Sequence, residues 1–178
     1  MNSMSNLEQL CYPTGRFAAQ ESYTAEDRAQ CIQRIEVLPQ HVDDVVKTLT
    51  PALLDTSYRD GGWTARQVIH HIADSHLNAY IRFKWALTEA TPTIKPYDEK
   101  GWAQTPETGL DPTMSVVLLK ALHVRWVSLL SNMTAADFDR EFYHPDNKKH
   151  VRLAQSLATY AWHGEHHLGH LRIIAAKK

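Results

Sequence analysis

His163 and His167 stand four residues apart near the C-terminal end of the chain, in the stretch AWHGEHHLGH, which also holds His166 and His170. Much earlier, His70 and His71 are adjacent and His76 follows. Eleven of the 178 residues are histidine. Neutral imidazole binds zinc and similar borderline ions at about 2.0–2.1 Å, provided that several nitrogens converge on one point. On a helix, residues four apart lie on one face, one turn from each other. A third imidazole from a facing helix would complete a site inside a bundle. The chain has no HExxH: Glu165 sits one position off that zinc-protease pattern and faces away from the pair, which leaves no built-in glutamate base. Nor is there a GxSxG elbow, a Walker loop or a Rossmann glycine pattern.

Helical periodicity sorts these histidines by face. In the last helix Leu153, Leu157, Tyr160, Gly164, Leu168 and Leu171 form the apolar stripe. His163, His167 and His170 follow one flank of it with Ser156, whereas His166 points further round, toward solvent. Gly164, within the stripe, allows close approach of another helix or a ligand at a cost of roughly 1 kcal/mol in helix propensity. In the earlier helix Ala65, Val68, Ile72, Ala79 and Phe83 mark the core stripe, and His76 lies in its middle. His71 lies on a flank with Ser75, Asn78 and Arg82; His70 points to the far side. Periodicity alone therefore favours His76 as the buried histidine, hydrogen-bonded to a side chain or to backbone, and keeps His71 as a flank candidate. His144 and His150 read as turn and surface residues, and His41 and His123 carry no pattern.

The elements that would position these side chains are helices. The first ~20 residues (1–22) read as irregular, with Pro13 and Gly15 as punctuation. A helical pattern runs from about Glu26 to Leu49; Pro39 inside it should kink or split it, and Thr50-Pro51 closes it. After the Asp60-Gly61-Gly62 turn, Thr64 and Gln67 make a capping box and Trp63 with Val68 a hydrophobic staple. That second helix reaches about Glu89. A long crossover from Thr91 to Leu110 follows, of a length that usually carries function or covers a site. Asp111-Pro112 starts a third helix that extends to about Asn132. Phe142-Tyr143 and Val151-Leu153 could pair weakly around Pro145-Asp146-Asn147, and the last helix spans about Ala154 to Ala175. Four long helices with one long crossover predict an all-α four-helix bundle.

Composition excludes several classes. The length fits one domain with a real core, and 43% hydrophobic with 22% charged residues is ordinary for a globular protein. A net charge of -1 offers nothing to nucleic acid. No apolar run approaches the roughly 20 residues that span a bilayer, so no membrane partner is expected. MNSMSNLEQLCYPTG has neither a basic nor an apolar signal region, which makes the cytoplasm the default; Met1 and Met4 are both possible starts. Cys11 and Cys31 form no CxxC pair and read as free thiols.

YRDGGWTARQVIHHIADSH at 58–76, KPYDEKGW at 95–102, FYHPD at 142–146 and YAWHGEHHLGH at 160–170 resemble the YfiT-like branch of the DinB superfamily. The resemblance runs from about Tyr12-Pro13 to the C-terminus and implies one DinB-like four-helix-bundle domain over 1–178, typically a homodimer. It also implies one divalent metal per chain, Zn2+ first and Ni2+ second, held by three histidines with waters completing the shell. The family pattern puts one ligand eight residues after the tryptophan that starts the second helix, which is His71, and the other two at His163 and His167. His70, His76, His166 and His170 are not carried over as ligands. The implied activity is metal-dependent hydrolysis of a small molecule by a metal-activated water. Related proteins transfer a low-molecular-weight thiol, such as bacillithiol, mycothiol or glutathione, to an electrophile; a metal-binding protein without catalysis is the third reading. A metal can lower the pKa of bound water to near 7 or deprotonate a bound thiol. No acidic general base stands out beside the ligands, with Asp74 and Asp60 only distant candidates.

Overall fold

The computed structural model describes residues 6–177, so the choice between Met1 and Met4 lies outside the described residues. The chain runs through α1 (Asn6–Cys11), α2 (Ala25–Val46), α3 (Pro51–Leu54), α4 (Ala65–Thr88), α5 (Glu99–Trp102), a 3-10 turn (Pro106–Gly109), α6 (Thr113–Ser131), α7 (Ala135–Asp139), β1 (Glu141–His144), β2 (Lys149–Arg152) and α8 (Leu153–Ala175). The four long helices make an all-α bundle, as the periodicity predicts. α2 and α4 each pack against both α6 and α8, so these two, consecutive among the long helices, occupy opposite corners.

Local chemistry sets the starts. Thr24 caps α2 in a reciprocal box: Asp27 N donates to Thr24 Oγ1 and Thr24 N donates to Asp27 Oδ2 at 2.8 Å. Thr64 and Gln67 do the same for α4, and Gln67 Nε2 then donates to the Ala103 carbonyl at 2.9 Å, tying the crossover to the helix it follows.

Several expectations are corrected. A short helix, α1, stands within the N-terminal stretch read as irregular, because Tyr12 and Pro13 dock on α8 and fix its end. Pro39 does not split α2, which is continuous from Ala25 to Val46. α2 ends at Val46 rather than Leu49, and Thr50, which stands beyond its end as expected, also caps α3; the crossover holds α5 and the 3-10 turn. Leu153 is the first residue of α8 rather than a strand residue; β1 and β2 pair antiparallel with Phe142 opposite Val151. α6 is long and apolar enough to cross a membrane by length and composition, with a mean hydropathy of 1.4 over an 18-residue window, 33% of which is buried. Lys120 and Arg125 interrupt the apolar run and hid this from a reading that sought an unbroken one. One face of α6, with Val116, Leu119, Trp126 and Leu130, lies in the bundle core, while Met114, Val117 and Val124 are exposed.

The core is divided. One apolar cluster gathers Ile35, Phe83, Trp126, Leu130 and Leu157; the other gathers Leu38, Val42, Ile72, Leu119 and Leu168. Along α4 the chain passes from Ile72 in one cluster to Ala79 in the other, and His76 lies between. On α6 His123 lies between Leu119 and Trp126, and on α8 His163 and His167 lie between Ala161 and Leu168. A layer of imidazoles thus separates the two apolar halves.

Candidate metal centre

α4 and α8 pack side by side and bring His71, His163 and His167 together, each offering one ring nitrogen within 4.8 Å of the others. His71 Nε2 and His163 Nε2 are 3.2 Å apart. Two nitrogens bound at about 2.0–2.1 Å at a tetrahedral angle stand roughly 3.3–3.4 Å apart, so the pair is spaced for one small cation. The rings of His163 and His167, one turn apart on α8, are 4.5 Å between centroids, and those of His71 and His167 are 4.7 Å. Trp63 leans over the group, 4.6 Å from His71 and 6.2 Å from His167.

The electrostatics favour lone pairs. Burial pushes the His71 pKa down to about 4, with help from the neighbouring His166, and holds His163 and His167 well below 6.5. Neutral imidazoles are the form that a metal needs. The donor set therefore fits a divalent cation of the zinc type, with three ligands and no carboxylate among them.

Each of the other histidines has a definite place. His76 is fully buried and shares a 3.0 Å hydrogen bond with His123, which is the core role that periodicity favours. His70 is not on an open far side; it is buried beneath the start of α6, 2.7 Å from Ser115 Oγ. His166 does not reach solvent. Tyr12 and Trp162 cover it, with ring centroids 6.0 and 4.6 Å away, because the N-terminal segment folds back onto α8. His170 is buried under Tyr58, whose ring stacks 3.8 Å from it. His166, His167 and His170 form a second group with nitrogens within 4.8 Å, all from α8, and it shares His167 with the first.

Sequence reasoning missed His123. It lies in the α6 core stripe four residues after Leu119, and the signal was Pro39: a proline in mid-helix leaves the carbonyl four residues back, that of Ile35, without its N–H. His123 Nδ1 meets that carbonyl at 2.6 Å.

Two clefts meet the group. One of about 710 Å3 opens beside His167, with Tyr12, Tyr58, Arg59 and Trp63 on its walls. The other, about 440 Å3, opens beside His163, with Arg82, Tyr97, His144 and Tyr160. Arg82 is buried, donates to Tyr160 Oη at 3.2 Å and makes no ion pair among the described residues. Glu165 faces away from the centre, with both carboxylate oxygens on the Arg34 guanidinium. Asp74 is half-buried, its pKa raised to about 6 by burial and by Glu107, on the side of α4 that faces the 3-10 turn; Asp60 is exposed in its turn.

The family model of the DinB superfamily matches residues 25–171. "Putative metal-dependent hydrolase YfiT" of Bacillus subtilis (strain 168) is 48% identical over 169 residues, covering 94% of this chain and 95% of that protein. A relative of the same description from Bacillus pumilus (strain SAFR-032) is 47% identical over 165 residues, covering 93% of this chain and 94% of that one. A solved structure of YfiT from Bacillus subtilis, described as a probable metal-dependent hydrolase with an unusual four-helix bundle topology, aligns with a TM-score of 0.92 at 46% identity. It covers 95% of this chain and 97% of its own.

Proposed function

The chain belongs to the DinB superfamily, and from that premise we propose that it is a metal-dependent hydrolase acting on a small molecule, its metal held by His71, His163 and His167. The convergence of three neutral imidazoles from two facing helices, beside two clefts, is the observation that carries this reading. Zn2+ is the first candidate and Ni2+ the second. A divalent cation there supplies Lewis acidity that lowers the pKa of a water or thiol it holds. The chain's own residues do the rest. Trp63 covers His71 and His167, Tyr58 covers the neighbouring His170, and Arg82 offers a fixed positive charge to an anionic group of the substrate. The description of the Bacillus relatives as metal-dependent hydrolases supports hydrolysis.

A second reading, transfer of a low-molecular-weight thiol such as bacillithiol to an electrophile, gains from one observation. The nearby carboxylates are engaged or remote: Glu165 is clamped by Arg34 and Asp74 lies across α4. Hydrolysis usually wants a general base, and a thiolate does not. A metal-binding role without catalysis is the third. We further propose a cytoplasmic homodimer, its exposed apolar residues on α6, Met114, Val117 and Val124, offering area for a second copy. The test is product analysis by mass spectrometry on metal-loaded protein with ester, amide and electrophile panels, with and without thiol. Metal-dependent hydrolysis indifferent to thiol supports the first reading. A thiol adduct formed faster than with His71→Ala, and no hydrolysis, overturns it in favour of the second.

A further inference from the structure

The imidazole layer is ordered by one backbone carbonyl. Pro39 has no N–H, so the Ile35 carbonyl is free to accept from elsewhere. A carbonyl can only accept, so the His123 Nδ1 that lies 2.6 Å from it carries a proton. A neutral imidazole holds one proton, so His123 Nε2 is a lone pair. His76 Nδ1, 3.0 Å away with its ring plane only 16° off, must then donate. By the same count His76 Nε2 accepts, and its partner is His163 Nδ1 at 3.4 Å. His163 Nδ1 therefore donates, and His163 Nε2 is left as a lone pair facing His71 Nε2, 3.2 Å away, at the candidate centre. Both inner members are sealed, with His76 0% and His123 2% exposed, so no water competes for the bond between them or for the Ile35 carbonyl.

We propose that His76 and His123 are positioning residues: the freed Ile35 carbonyl sets one tautomer after another along His123, His76 and His163, and so presents His163 Nε2 unprotonated and aimed before any metal arrives. This rests on His163 being a ligand, as proposed above. Histidine ligands commonly donate their second N–H to a carboxylate, carbonyl or water. Here the carbonyl is reached through two further imidazoles, which fits an interior without carboxylates.

The test begins with metal-free protein. Two-bond proton–nitrogen correlation spectra of its histidine rings report which nitrogen of each carries the proton. The expected result is Nδ1–H for His163, His76 and His123 alike, and Nε2–H on His163 or His76 would overturn the proposal. The second arm is zinc affinity by competition with a chelator. His76→Leu keeps the volume and removes both hydrogen bonds, and should weaken zinc binding by about 10–100-fold, the usual cost of losing such support. His76→Gln retains one donor and one acceptor and should recover most of that loss. Equal affinity of His76→Leu and the unaltered protein would refute the relay, as would a His76→Gln protein no better than the Leu variant. Should His76→Leu fail to fold, the tautomers of the unaltered protein decide. Absence of zinc binding by the unaltered protein would sink the proposed function alone, since the tautomers are read without metal.

Discussion

Acidification of the metal-free protein should unfold it earlier than its size suggests. His71 and His123 are held neutral by burial, their pKa values lowered from 6.5 to about 4. In the unfolded chain both return to 6.5 and take up protons below it. Between 6.5 and about 4 the unfolded state thus binds more protons than the folded state, and folding stability falls as the pH falls. At about pH 5 each of the two contributes about 2 kcal/mol of that loss relative to about pH 7.5, or about 4 kcal/mol together. For a chain of this length that is about 8–16 °C in melting temperature. His76, His163 and His167 are pushed in the same direction, so the pair sets a floor. Whole-domain stabilities run about 5–15 kcal/mol, so the loss should be plain in the data. The assay is urea unfolding of chelator-stripped protein at both pH values, with proton uptake on unfolding read from the slope between them. A difference below about 1 kcal/mol, or greater stability at acid pH, would refute the buried, neutral imidazole layer.

Three further outcomes are expected. Elemental analysis should find about one zinc-like ion per chain, sharply reduced in His71→Ala, His163→Ala and His167→Ala but not in His70→Ala; full retention in the His163→Ala, His167→Ala double variant would sink the ligand set. Gly164→Ala should destabilise despite better helix propensity, since its Cβ would run into Leu38, itself buried; about 1–3 kcal/mol of overpacking outweighs about 1 kcal/mol of propensity, and a raised melting temperature would contradict this. Thr64→Ala removes the cap of α4 and should cost about 0.5–2 kcal/mol in chemical denaturation, whereas loss of the exposed Glu8–Arg16 pair should fall within error.

The long helices were legible because their signals are local: Thr64 with Gln67, Pro112, and the stripes of Leu and Val. The HxxxH pair was legible for the same reason. What escaped needed contacts far apart in sequence. Pro39 read as a break because a proline removes a hydrogen bond, yet the partner that receives the orphaned carbonyl, His123, is 88 positions from Ile35. His166 read as exposed because its face of α8 carries few apolar neighbours; Trp162 stacks on it from the same helix, and Tyr12, from the other end of the chain, completes the cover. Periodicity favoured His76 over His71 for burial, and both turn out buried, since a site between helices hides flank positions as well as stripe positions.

Residues 12–17 rest on α8 at a few points: Trp162 Nε1 donates to the Gly15 carbonyl at 3.0 Å, Phe17 meets the Trp162 ring at 5.8 Å, and Pro13 lies so close to Gly169 that a Cβ there would meet it at 2.7 Å. Phe17 packs against one apolar cluster and the other contacts lie outside both, so the strap can lift while the four helices stay packed, a sub-global opening of smaller free energy than unfolding of the bundle. Each lift uncovers the Tyr12 side of His166, whose ring also borders the larger cleft. Amide protons along the strap should therefore exchange well ahead of those in the middle of α8, and each opening widens the cleft that already borders this side of the imidazole layer.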